Sequence, residues 1–186
     1  KASLTDSIAM GHVSLATGEK ALALGANSDA SGAKSMAIGS TSIANGEDSI
    51  SIGDNAQSKE FGVALGGKSN VNAYGVAVGP NAKANEKAVA VGSSAKALEL
   101  NSVAIGNEAS ADATQAISIG DKAHSKSSGV AVGVSADAAL DGIAIGASAK
   151  TEKAKGIALG QEPILRGKMQ LQWVLIVRRN PKLLWR

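Results

Sequence analysis

A five-residue core recurs along the chain at an almost fixed interval: small residue, large aliphatic, Ala or Ser, large aliphatic, Gly. It reads SIAMG at Ser7–Gly11, ALALG at Ala21–Gly25, SVAIG at Ser102–Gly106 and GIALG at Gly156–Gly160. Twelve copies occur, their closing glycines 13 or 14 residues apart, and none departs from the class rule. Repetition this strict excludes most folds, because each repeat must adopt one conformation and bury its apolar surface against its neighbours. Composition follows from it. Ala, Gly and Ser make up 79 of 186 residues and aromatics only 2%, too few bulky side chains for an ordinary core.

Within the core the alternation has period two, which is the signature of a strand and not of a helix. Large residues one and three before the glycine, such as Ile105 and Val103, share one face, and the small residues Ala104 and Ser102 share the other. Ala or Ser also stands three residues after each core glycine up to Gly146, and a small residue usually follows at five, with Val71 and Thr151 the largest exceptions. This second pattern predicts a shorter strand. Two strands and two turns in 13–14 residues form one coil of a parallel solenoid, and twelve coils stack to roughly 58 Å at about 4.8 Å each.

Because large residues usually face inward, Val103, Ile105 and their equivalents are expected to form a thin core against the second strand. The opposite face is then a column of small residues: Ala9, Ala23, Ala37, Ala64, Ala77, Ala90, Ala104, Ala131, Ala144 and Ala158, with Ser51 and Ser118. A surface confined to Ala and Ser over twelve turns suggests close approach of another backbone, so this column is expected to pack an oligomer.

The repeat resembles the head domain of YadA-like trimeric autotransporter adhesins. NSVAIGNEA at Asn101–Ala109 is close to that family's NSVAIGxxS unit, departing at the last position, and GVAVGPNAKA at Gly75–Ala84 and GIAIGASAK at Gly142–Lys150 are variants of it. The resemblance covers residues 1–162. It implies an all-β fold, a left-handed parallel β-roll assembled as a homotrimer, displayed at the bacterial outer membrane and cell surface. It further implies attachment to host matrix proteins such as collagen, fibronectin or laminin. The family's collagen-type binding is associated with NSVAIG units, which places a candidate ligand-binding segment at Asn101, Ser102, Val103, Ala104, Ile105 and Gly106. The alternative reading is a structural spacer or fibre segment with no ligand of its own. An ice-binding solenoid would need regular outward Thr ranks, which the repeats lack. With no apolar leader, heptad stalk or set of barrel strands apparent, the chain is expected to be a segment of a longer adhesin.

The pattern stops after Glu162. Residues 163–186 hold all four arginines and both tryptophans, and 161–186 carry +5 against −2 for 1–160, so the basic balance belongs to this tail. Its apolar run is too short to span a bilayer. Read one base out of frame, the Met169–Gln170 and Trp173–Val174 codon junctions must encode Ala and Gly, four codons apart and in register with the repeat. The tail is therefore expected to be a frameshifted or disordered segment. No nucleic-acid partner is expected once the tail is set aside. Nor is an enzyme. His12 and His124 lie eight coils apart, the serines have no base placed with them, and Asp54, Asp121 and Glu108 sit beside turn glycines without metal-ligand spacing. No cofactor motif and no cysteine occurs.

Overall fold

The computed structural model describes residues 1–161 and, as backbone strands, 164–165 and 171–173. It is an all-β parallel solenoid. Three-residue strands, from Ile8–Met10 through Val103–Ile105 to Ile157–Leu159, stack into one sheet that ends on Leu171–Trp173. Two-residue strands, from Leu15–Ala16 through Ser110–Ala111 to Ile164–Leu165, stack into a second sheet. Every pairing is between consecutive coils and holds the sequence repeat in register, as with Val89↔Val103, Ala90↔Ala104 and Val91↔Ile105. Twelve three-residue strands up to Leu159 thus enclose eleven turns.

Each coil closes through two turns of one type. At Gly106–Asn107–Glu108–Ala109 the Ala109 N–H donates to the Gly106 carbonyl at 3.3 Å, and Glu108 is left-handed at φ 54°. At Glu99–Leu100–Asn101–Ser102 the Ser102 N–H donates to the Glu99 carbonyl at 3.2 Å, and Asn101 is left-handed at φ 57°. A positive φ at the third position defines a type II turn, which explains why Asn, Asp, Lys and Ser crowd these corners. The core glycine opens the first turn at φ 135° in Gly106, and a Cβ there would lie 2.3 Å from the Gly120 carbonyl oxygen above it. Neither the dihedral nor the space admits a side chain.

The interior reverses the expected sidedness. Ala23, Ala37, Ala64, Ala77, Ala90, Ala104, Ala131, Ala144 and Ala158 are all 0% exposed, facing Ala16, Ala30, Ala44 and their equivalents across the roll. Ala9 is half-buried because its coil is the first. The column expected to meet another chain is therefore buried inside this one, where it offers no surface to a second chain. Val103 and Ile105 lie on the outer face instead, half-buried and 38% exposed. The reason is coil size. With strands of three and two residues the sheets approach so closely that methyl and hydroxyl groups fill the gap; the largest fully buried side chains are Val71 and Thr151, followed only by serines.

Those two larger residues show how tightly volume is matched. Val71 fits because glycine opens the adjacent three-residue strands: a Cβ on Gly62 or Gly75 would lie 3.0 Å from Val71 Cγ1. A Cβ on Gly142 would lie 2.5 Å from Thr151 Oγ1. Buried hydroxyls are mostly provided for as well, Ser35 Oγ being the one left without a partner among the described residues. Ser14, Ser28, Ser42 and Ser69 donate to the carbonyl of the core glycine three residues earlier. Ser51, which replaces an interior alanine, donates to the Ile43 carbonyl at 2.6 Å and pairs with Ser58 at 2.7 Å. Ser118 repeats this with the Ser110 carbonyl and Ser125.

The tail readings fall almost wholly outside the described residues. Within them, Leu171–Trp173 pairs with Ile157–Leu159, 14 residues on.

Candidate functional site

A roll whose interior holds only small side chains can act only through its outer faces. They differ sharply. Over the three-residue sheet, two large aliphatics per coil point outward and stack in register, so that Val76, Val89, Val103 and Ile117 form one column and Val78, Val91, Ile105 and Ile119 the next. Ile52, Ile105, Ile119 and Ile145 are 37–42% exposed. Single exposed aliphatics are ordinary, whereas a continuous apolar band along a whole sheet marks an interaction surface.

Over the two-residue sheet the outward positions are polar from Gln57 to Lys150, with Leu15 and Ile43 aliphatic in the earliest coils. Gln57 accepts from Asn70 at 3.2 Å, and Asn85 accepts from Asn72 at 2.9 Å and itself donates to the Leu98 carbonyl, so side-chain amides form short ladders between coils. Farther along, His124 lies between two carboxylates, 2.8 Å from Asp112 and 3.2 Å from Asp137, and Lys150 reaches Asp137 at 3.6 Å. Burial works to raise the Asp112 pKa. The Ser110 hydroxyl that donates to it, the hydrogen bond and charge of His124, and the charge of Lys96 outweigh burial and hold the carboxyl below its ordinary value. The two ring nitrogens face different carboxylates, so the cluster does not converge on a point. Among the described residues no three His, Cys, Asp or Glu side chains could hold a metal ion. Repeat position could have revealed this cluster: Ser110, His124, Asp137 and Lys150 occupy the same place in successive coils.

At the second corner Phe61 and Tyr74, the sole Phe and Tyr of the chain, stack on adjacent coils with centroids 5.1 Å apart. Both are left-handed, at φ 53° and 59°. They occupy the corner place that Asn101 holds in its own coil.

Every residue of the Asn101–Gly106 segment has a place in the coil. Asn101 is the exposed left-handed corner, Ser102 is buried and donates to the Glu99 carbonyl at 2.6 Å, and Ala104 is interior. Val103 and Ile105 belong to the outer apolar band, and Gly106 opens the next turn. The family model of the YadA head domain repeat matches the chain at residues 5–28, 30–56, 85–109, 99–123 and 138–162.

The chain belongs to the YadA head family.

The matched segments carry the same unit that the structure repeats, core strand, glycine corner, short strand and second corner, and they include Asn101–Gly106. Membership makes this a domain of the kind found in trimeric autotransporter adhesins of the bacterial surface. No curated protein matches the chain at a significant level.

Proposed function

We propose that this YadA-like head is the adhesive segment of a homotrimeric, left-handed β-roll at the bacterial outer membrane surface, and that it attaches the cell to host matrix proteins such as collagen, fibronectin or laminin. The observation that carries this reading is the pairing of unlike faces: an apolar band suited to a second and third copy, backed by a polar sheet that trimer formation leaves open to solvent. Burying an aliphatic side chain contributes about 1.5–3 kcal/mol when complete. Half-exposed columns repeated over eleven turns therefore supply an extended association surface, whereas a monomer would leave them in water. Rigid repetition suits many weak contacts with an extended partner.

Asn101–Gly106 is the ligand segment within this proposal. Val103 and Ile105 would be shared with the trimer band, which leaves the Asn101 side chain as the accessible element of the motif. A passive spacer is the competing reading, favoured by the constant cross-section of the coils. Solid-phase binding of the trimer to immobilised collagen, fibronectin and laminin separates the two. Saturable binding that Asn101→Gly weakens, glycine keeping the left-handed corner, supports an adhesive motif. Absence of binding to all three leaves the spacer.

A further inference from the structure

We propose that the outward face of the two-residue sheet over residues 55–98 is a binding surface for an acidic polysaccharide, a glycan bearing sulfate or uronate groups. Residues 1–160 carry 13 Lys and 15 Asp plus Glu, a mildly acidic segment. Lysine nevertheless gathers on this one face. Lys83 and Lys96 project from two-residue strands, Lys59 follows one, and Lys68 holds a left-handed first corner at the edge of the same face; the four lie on consecutive coils, all exposed. Lys83 and Lys96 are direct register partners, a like-charge juxtaposition that costs stability in a sheet. Neither ammonium group forms an ion pair among the described residues. The acids of these coils sit at corners, where Asp54 is engaged by Asn55 at 3.0 Å, and Lys59, Lys68 and Lys83 make no ion pair among the described residues. Lys96, at the boundary, lies near enough to Asp112 to favour its ionised form. By contrast, Lys34 meets Glu47 and Asp48, and Lys150 meets Asp137.

The positions between the lysines hold amides. Asn55, Gln57 and Asn70 join Lys68 and Lys83 around an open depression of about 530 Å³. Amide ladders leave donors and acceptors free at fixed spacing, and these groups suit the hydroxyls of a sugar chain. Lysine ammonium groups act as point charges for sulfate or carboxylate. A nucleic acid fits less well. Stacking platforms and arginine are what single strands require, and the face has no aromatic residue while the first arginine of the chain is Arg166. The surface lies on the side of the roll away from the apolar band, so self-association would leave it open.

This inference deepens the adhesive reading by naming a ligand class, and it can fail without that reading failing. The test uses the full chain with R166Q, R178Q, R179Q and R186Q, which removes the arginine charge of the tail from the comparison. Binding is measured by surface plasmon resonance on immobilised heparin, hyaluronan, neutral dextran and an oligothymidine strand, with collagen as a separate arm. Heparin is expected to bind, hyaluronan more weakly and dextran not at all, with affinity falling as salt rises. Lys68→Gln, Lys83→Gln and Lys96→Gln together are expected to lower heparin affinity at least tenfold, with a thermal melt that holds or rises as the like-charge pair is relieved. Lys20→Gln, Lys34→Gln and Lys155→Gln, the same charge removed from second corners, should leave it within twofold. Equal binding of the two triple variants, or oligothymidine binding as tight as heparin, overturns the assignment. Loss of collagen binding alone would strike the matrix-protein reading and leave this one standing.

Discussion

At the scale of single residues, the interior follows a rule of matched pairs. Ser51 and Ser58 replace alanine together in one coil, as Ser118 and Ser125 do in another, because a hydroxyl buried among methyl groups needs a partner. Ser58 has only Ser51, while Ser51 also has the Ile43 carbonyl. Ser51→Ala is therefore expected to cost about 1–3 kcal/mol by stranding Ser58, and Ser58→Ala less. The double Ala variant should recover most of the loss, as its coil then equals its neighbours; a double-mutant cycle by urea denaturation checks this. Asp112 carries the pH-dependent counterpart. Its carboxyl sits below the ordinary value when folded, so its contribution is present above the unfolded carboxylate pKa of about 3.9 and is lost as pH falls through the lower, folded value. The gap in urea midpoint between wild type and Asp112→Asn should thus narrow as pH falls through the carboxylate range, below about 4. A gap that stayed constant across that range would show that the folded carboxyl is not held below its ordinary value. The co-substituted serines were visible in the sequence. Their contact was not, since it spans the roll between residues seven apart, on opposite strands.

At the scale of the coil, period two, glycine corners and the short second strand were all legible, because each rests on local backbone preferences that repeat unchanged. The structure adds that each turn is type II and that the glycine column is sterically closed. Gly106→Ala places a methyl 2.3 Å from the Gly120 carbonyl at a φ of 135°. Loss of several kcal/mol is expected, seen as a lower denaturation midpoint, and at an open glycine such as Gly67, whose nearest contact is 3.6 Å away, the same change should cost less than about 1 kcal/mol. The two coil lengths have a local explanation as well. In four of the five 13-residue coils glycine opens the three-residue strand, at Gly62, Gly75, Gly129 and Gly142, and Ala88 is the exception. Dropping one residue before the second corner draws that strand start against a neighbouring carbonyl, 2.7 Å from a Cβ in the case of Gly75 and Asn85.

At the scale of the whole molecule, the reversed sidedness moves any assembly surface from the alanine column to the aliphatic band. Val76→Lys, Val89→Lys and Val103→Lys together should leave the roll folded by circular dichroism and shift analytical ultracentrifugation from trimer to monomer. Ala90→Leu should instead unfold coils, since no space exists between the sheets. Beyond residue 162, coding DNA read one base out of frame is expected to continue the repeat with a core glycine 14 positions after Gly160; sequencing the gene checks it. The sequence by itself determined the repeat, the strands, the corners, the parallel stacking and the YadA-like family, because period-two alternation and fixed glycine spacing act through neighbours along the chain. Alternation says only that two faces differ. Which face lies inside was decided by the distance between two sheets closed over 13–14 residues, a tertiary quantity that admits Ala and Ser and expels Val and Ile. The same closure brought Ser51 to Ser58 and His124 between its carboxylates. It also set four unpaired or weakly paired lysines on one side of a mildly acidic roll.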